Sequence, residues 1–489
     1  MRKRHWAMAA LGLLLVALSI WQLSAAAQGL KIATLRSTDP PLTLIAPAEG
    51  SPAGRPLVLI GHGFAGSAAI MRGFAYTLAH AGYAVVLWDF NGHGANPRPL
   101  AGFEGGPLLA NAENALAAAT ARGFGDPHRV ATLGHSMGSG VALTFGQEHP
   151  ETMATIAVSP VNQQVTPDLP HNLLLMAGSL EPQFLHNAEQ LLAQAGGQGG
   201  DPAAGNGRKL VAVPGVEHIS ILFSPTAHAA ARDWLDTIFG SQPGAQPYTD
   251  RRIWWYVVGL LGALLLGAGV APLVAAPRSE RAVHRPLWRR LAALAGGALG
   301  ATLILWLASL SGLTLTASLG LLIGGYLLIW FGLAGLFSLL LLWPRFYVPP
   351  RRQVFGGLLA FAVLWLGVGL LGQSVWLAWI LIPKRLLLWP LGALLLLPWF
   401  LAAGETVARA GAIARIGWWL AHSLIVAGSL FLTLQLMPDL FFLVLILPLF
   451  PAILGLHALA AAPHRESWPF ALSGALFTSW LLLAVFPLS

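Results

Sequence analysis

The sequence contains no cysteine and little charge: Asp, Glu, Lys and Arg together make up 10% of its 489 residues. Without a thiol there is no disulfide, no thiolate nucleophile and no cysteine-ligated metal. With so few charges set against 56% hydrophobic residues, an ordinary soluble globule is excluded, and the chain reads as an integral membrane protein. Acidic residues are especially scarce outside one stretch. Residues 28–250 hold 16 Asp and Glu with 10 Lys and Arg, a balance of 10 − 16 = −6, whereas the remainder holds 4 and 18. That basic remainder flanks hydrophobic runs, where it reports topology and not a nucleic-acid partner. Two motifs are also missing. The Gly-rich stretch Ala195 to Gly207 has no Gly-Lys-Ser/Thr, and no His-Glu-X-X-His occurs, so no cofactor or metal is expected.

What is present divides the chain into four parts. Arg2-Lys3-Arg4 and the apolar run Trp6 to Ala27 form a signal anchor or a signal peptide over residues 1–27, and Ala25-Ala26-Ala27 fits a cleavage rule. Residues 28–243 alternate strands with helices, as a mainly parallel sheet with crossovers requires. The strands are expected at Lys31 to Leu35, Leu42 to Ala46, Pro56 to Ile60, Tyr83 to Trp88, Arg129 to Leu133, Thr152 to Val158, Leu173 to Ala177 and Lys209 to Val213. A flexible linker, 244–252 with Ser241 to Pro247 leading into it, precedes a polytopic all-α transmembrane domain of about eight helices, 253–489.

The apolar runs of that last part lie near 253–276, 291–311, 317–343, 354–381, 386–403, 418–436, 439–461 and 468–487. With the first segment they make nine spans. An N-terminus in the cytoplasm then returns Arg278, Arg281, Arg285, Arg289 and Arg290, and later Arg345, Arg351 and Arg352, to the cytoplasm. Residues 28–243 come to lie on the extracytoplasmic side of a membrane, expected to be a bacterial cytoplasmic membrane. Lys384-Arg385 falls outside on this scheme, the run 354–381 exceeds one span, and Ala403 to Ile416, with Arg409 and Arg415, reads as an interfacial helix.

The chemistry is concentrated at Gly134-His135-Ser136-Met137-Gly138, a small-X-Ser-X-small turn between an apolar strand and a helix. Such a turn exposes a nucleophile, here Ser136. His218, in a loop after the last strand, is the general base, with His228, inside a helix, the competitor. The acid belongs after strand 7, where Glu181 stands; Asp168, before that strand, is the runner-up, and Glu217 reads as a surface carboxylate. Backbone N–H groups of Met137 and of Phe64, in Gly61-His62-Gly63-Phe64-Ala65-Gly66, are the expected oxyanion donors.

Over residues 31–240 these features resemble the α/β-hydrolase superfamily, as does the loop Asp89-Phe90-Asn91-Gly92-His93-Gly94, with Glu181 standing where Asp is commoner. The resemblance implies an eight-stranded α/β-hydrolase sheet. Only Ser159 to Asn172 separates strands 6 and 7, too few residues for a cap, so the site is open or covered by the membrane domain. The expected activity is serine hydrolysis of an acyl ester, esterase or lipase in type, on a lipid-like substrate in contact with membrane lipid. Acyl transfer to a lipid or glycan is the alternative. A transporter with an accessory hydrolase module and a binding pseudoenzyme are the rival classes. His422, His457, Gln373 and Gln435, the polar groups inside apolar runs, read as interhelical hydrogen bonds.

Overall fold

In the computed structural model, which describes residues 2–102, 106–274, 286–344, 347–408 and 410–489, an apolar helix α1 (Arg2–Ala25) leads into the sheet. Short apolar runs bounded by Gly, Pro and polar turns form β1 (Leu30–Leu35), β2 (Leu42–Pro47), β3 (Pro56–Gly61), β4 (Ala84–Trp88), β5 (Asp126–His135), β6 (Ala154–Val158), β7 (Leu173–Gly178) and β8 (Arg208–Val213). They make one eight-stranded sheet in the order β1-β2-β4-β3-β5-β6-β7-β8. The pairs β1–β2 and β2–β4 are antiparallel; every later pair is parallel.

Strands buried on both faces read as unbroken apolar runs, but their period of two survives in which core each residue joins. Val58 and Ile60 of β3 pack with Phe74 and Leu235 on one face. Leu57 and Leu59 pack with Ala115 and Phe145 on the other. Helices α2 (Arg72–His80), α3 (Gly106–Thr120), α4 (Met137–Glu148), α5 (Pro182–Gln194) and α6 (Pro225–Phe239) supply the covering layers, α2 and α6 on the first face and α3, α4 and α5 on the second.

The remaining helices are α7 (Arg252–Val270), α8 (Leu287–Leu310), α9 (Gly324–Leu342), α10 (Arg351–Leu364), α11 (Pro383–Val407), α12 (Ala412–Leu436), α13 (Leu443–Ile446), α14 (Phe450–Ala461) and α15 (Ser467–Val485). Among the described residues nine helical segments, α1 included, are long and apolar enough to cross a membrane. Helices apolar all round pack on each other in one large core, with Trp330, Phe331, Trp399 and Phe400 fully buried at its centre. Helix α1 lies directly against α7. A Cβ on Gly12 would stand 2.4 Å from the Leu266 nitrogen, so only glycine lets the two backbones come this close.

Several expectations change in this region. The run 354–381 holds one span and a return: α10 continues through a π-turn at Trp365–Leu370 as far as Ser374, and a non-helical segment leads from there to α11. The Trp379 ring fills the space that a side chain on Gly369 would need, which fixes the return. Among the described residues, 403–407 end α11 and 412–416 begin α12, so the expected interfacial helix is divided between those two helices. Arg278, Arg281, Arg285, Arg345 and Arg409 lie outside the described residues. His457 does make an interhelical bond, to Ser473 Oγ at 3.0 Å, whereas His422 has neither ring nitrogen bonded among the described residues and lies between Trp399 and Trp418, and Gln435 is exposed. The Gln373 side chain accepts from the Ile380 N–H, a local bond within its own connecting segment.

One end of the helical region seats on the sheet domain. Arg72 donates to Gln373 O at 2.7 Å, and Leu488 exchanges backbone bonds with Leu100 and Gly92. Asp250 takes a bidentate bond from Arg252, whose guanidinium also lies 4.2 Å from the Tyr76 ring centroid and donates to Ser374 O. Burial alone would raise the Asp250 pKa, but the Arg252 charge prevails and holds it below its ordinary 3.8. The segment read as a flexible linker is pinned as well: Gln246 N–H donates to His80 O, and Tyr248 stacks on His80.

Candidate active site

The turn after β5 forces Ser136 into φ 53°, ψ −118°, a sparsely populated conformation for a residue with a side chain. Holding it costs about 1–3 kcal/mol and requires an over-determined setting. The setting is the close approach of strand and helix. A Cβ on Gly134 would lie 1.9 Å from Gly138 O, and one on Gly138 2.5 Å from Gly61 O, so neither position admits a larger residue. The Ser136 N–H is tied to Val158 O at 3.0 Å, which fixes the turn against β6.

Three side chains from different segments meet here. His218 Nε2 lies 3.1 Å from Ser136 Oγ, and His218 Nδ1 lies 2.9 Å from Glu181 Oε2. An ionised carboxylate only accepts, so Nδ1 carries the proton and the Nε2 lone pair faces the serine hydroxyl. Ser136, His218 and Glu181 are 8%, 8% and 6% exposed, so their bonds are little screened by water.

Glu181 is itself held by two donors. Its Oε1 accepts from Ser159 Oγ at 2.6 Å and from Gly178 N–H at 2.5 Å. Phe184, from the first turn of α5, stacks on the His218 ring with centroids 4.1 Å apart. Nothing local in the sequence marks Ser159 or Phe184. A serine just past β6 and an aromatic three residues beyond the acid carry no motif; only the position of Ser159 at a strand's carboxyl end hints at a role.

The competing residues have other duties. His228 Nε2–H donates to Leu222 O, and the ring packs edge-on to Phe74, away from Ser136's hydrogen-bonded chain. Asp168 is exposed, and Glu217 accepts from the N–H groups of Ile219 and Ser220 within its own turn.

Phe64 lies beside the serine in the loop after β3, where a Cβ on Gly63 would stand 3.1 Å from Ser136 Cβ. Met137 opens α4, so its N–H belongs to the first turn, which has no intrahelical acceptor. The Phe64 loop is braced from behind. Ala65 N–H donates to His93 Nε2, His62 Nε2 accepts from Phe90 N–H, and Asp89 accepts from Ala68 and Ala95 N–H. Burial lowers the pKa of His62, and of His93 and His135 well below the ordinary 6.5, so all three are neutral hydrogen-bonding posts. The loop Asp89 to Gly94 thus supports the loop that carries Phe64.

A cavity of about 350 Å³ opens above Ser136 and His218. Its floor is the sheet domain, but its walls include Ile253, Tyr256, Trp376 and Ile446 from the helical region. Phe442, just before α13, stacks on Phe64 at 4.1 Å. Of the two expectations for the site, open or covered, the structure has the covered one.

The family described as serine aminopeptidase, S33, matches residues 52–195. An uncharacterized protein of Mycobacterium tuberculosis, found in two strains, is 30% identical over 180 residues, 33% of this chain; the chain spans about 63% of the length of these curated relatives. Among solved structures, a dienelactone hydrolase from Anabaena variabilis is 21% identical, covering 43% of this chain and 98% of its own at a TM-score of 0.33. A hormone-sensitive lipase from a metagenome library is 16% identical, covering 44% and 87% at 0.33. The sheet order and the Ser136 turn give the sheet domain the α/β-hydrolase fold, and the family that matches residues 52–195 is one of hydrolases. That domain is joined to a region of helices apolar and long enough to cross a membrane.

Proposed function

We propose that the chain is a membrane-bound serine hydrolase that cleaves a carboxylic ester through an acyl-enzyme. Ser136 Oγ attacks the carbonyl carbon as His218 Nε2 takes its proton, and Glu181 stabilises the resulting imidazolium. The Phe64 and Met137 N–H groups receive the negative oxygen of the tetrahedral intermediate. The intermediate collapses and expels the alcohol, which leaves with the proton from His218. Water, deprotonated by the same nitrogen, then releases the acid and restores Ser136.

The observation that carries this reading is the unbroken chain from Ser136 Oγ through His218 to Glu181, opening into a cavity. An aminopeptidase must also hold a free ammonium group, and no Asp or Glu lines this cavity among the described residues, which favours an ester over a peptide N-terminus. The sheet domain is assigned to the extracytoplasmic face. Lys3, Arg4, Arg289, Arg290, Arg351, Arg352 and Arg465 stand at or near helix ends opposite the sheet-facing ends, as the positive-inside rule requires. A serine-directed fluorophosphonate is expected to label the wild type and not Ser136→Ala. Equal labelling of both would overturn the assignment.

A further inference from the structure

We propose that the cavity above Ser136 is a fatty-acyl site built by the helical region, and that the substrate is a long-chain ester taken from the bilayer. The proposal rests on the serine-hydrolase reading and adds the substrate class to it. Its basis is a division in the cavity wall. The polar atoms that would handle an ester, Ser136 Oγ and His218 Nε2, lie at the floor. Beyond them the lining is mostly carbon, from α7, the 368–378 segment, α13, α14 and α15, and the Trp376 Nε1 and Thr478 Oγ1 atoms within it are buried away from the open space. Tyr256 brings a hydroxyl, but it is spent on Val368 O at 3.2 Å. Such a wall offers nothing to a sugar, a peptide or a charged leaving group and accepts an alkyl chain.

The second observation is where the wall comes from. The sheet domain has no cap between β6 and β7, and the helical region occupies the space that a cap would fill. The segment beside the serine, from Pro438 to Leu449, is broken into single turns, with Phe442 stacked on Phe64 and with Phe441, Val444 and Leu449 exposed. An acyl chain that leaves hydrocarbon for a carbon-lined cavity in the same bilayer gives up little solvation, since both surroundings are apolar. A lipid ester can therefore be drawn to Ser136 without its chain crossing water.

The test uses the purified full chain in nanodiscs with p-nitrophenyl acetate, butyrate, octanoate and laurate. For esters delivered from water, kcat/KM is expected to rise by up to about fourfold per methylene, the equivalent of ~0.8 kcal/mol, until the cavity is full. Ala378→Trp, which fills the wall, is expected to lower the laurate-to-acetate ratio about tenfold or more. Should that variant not fold, Ile453→Trp gives the same readout. Independently, Ser136→Ala with a photoactivatable long-chain ester is expected to cross-link within residues 445–453. Ser136-dependent turnover with a flat chain-length profile, an unchanged ratio in the filled variant, or cross-links confined to other surfaces would overturn the proposal and leave the serine-hydrolase reading standing. Turnover that persists in Ser136→Ala, or none at all, would overturn both.

Discussion

The two regions of the molecule divide one task between them. The sheet domain places polar atoms: Ser136, His218, Glu181 and the donors behind them are each set by a strand end and a bonded loop. The helical region places carbon, and it meets the site with side chains such as Ile253 and Trp376. The difference teaches that a catalytic group must be oriented to within a hydrogen bond, whereas an apolar wall need only have the right volume. Strands fixed by backbone ladders suit the first demand. Apolar helices, which need no pattern beyond close packing, suit the second.

The comparison is broken most completely on its polar side. Ser136→Ala is expected to lower kcat by about 10⁶-fold. Ester turnover and an unchanged thermal unfolding midpoint together check it. Glu181→Gln should cost about 10⁴-fold, because the imidazole loses both its preferred tautomer and its counter-charge. A loss under tenfold would move the acid's role elsewhere.

The seam between the regions is the next place to press. Arg385 is 1% exposed and donates to Leu483 O, Phe486 O and Gly92 O, so Arg385→Met is expected to destabilise the protein by about 1.5–3 kcal/mol. Unfolding in nanodiscs reads the change, and a shift within a few tenths would show that the seam does not depend on it.

The buried histidines predict an acid limb. His62, His93 and His135 have folded pKa values depressed below 6.5, so the unfolded chain binds protons that the folded chain refuses. Their contribution is complete above that pH and is lost as pH falls below it, at up to about 1.4 kcal/mol per pH unit for each. Denaturant unfolding across this range measures the slope. The smallest effect belongs to the Phe442 stack on Phe64: Phe442→Ala is expected to cost about 0.5–1.5 kcal/mol by the same measurement.

The sheet and the three meeting side chains were legible because each leaves a local trace. A doubly buried strand is a short apolar run, and a strained serine turn needs glycine on both sides, as Gly134 and Gly138 show. Ser159 and Phe184 leave none, since their roles arise from contacts with residues distant in the chain. In the helical region hydropathy marks spans but not their interruptions, so the π-turn at Trp365–Leu370 and the broken Pro438–Leu449 segment are visible only once neighbours are in place. Arg385 reads in sequence as a charge on the wrong side. The structure supplies the reason it is tolerated: three carbonyl oxygens surround it.

That arrangement bears on the order in which the protein is made. The Gly92 carbonyl is synthesised before Arg385, while those of Leu483 and Phe486 follow it. During translation the guanidinium therefore emerges with one acceptor waiting and two still to be added. Helix α15 is the clasp that closes around it, and until that helix is in place the Asp89 to Gly94 loop has only the single Arg385 bond to tie it to α11.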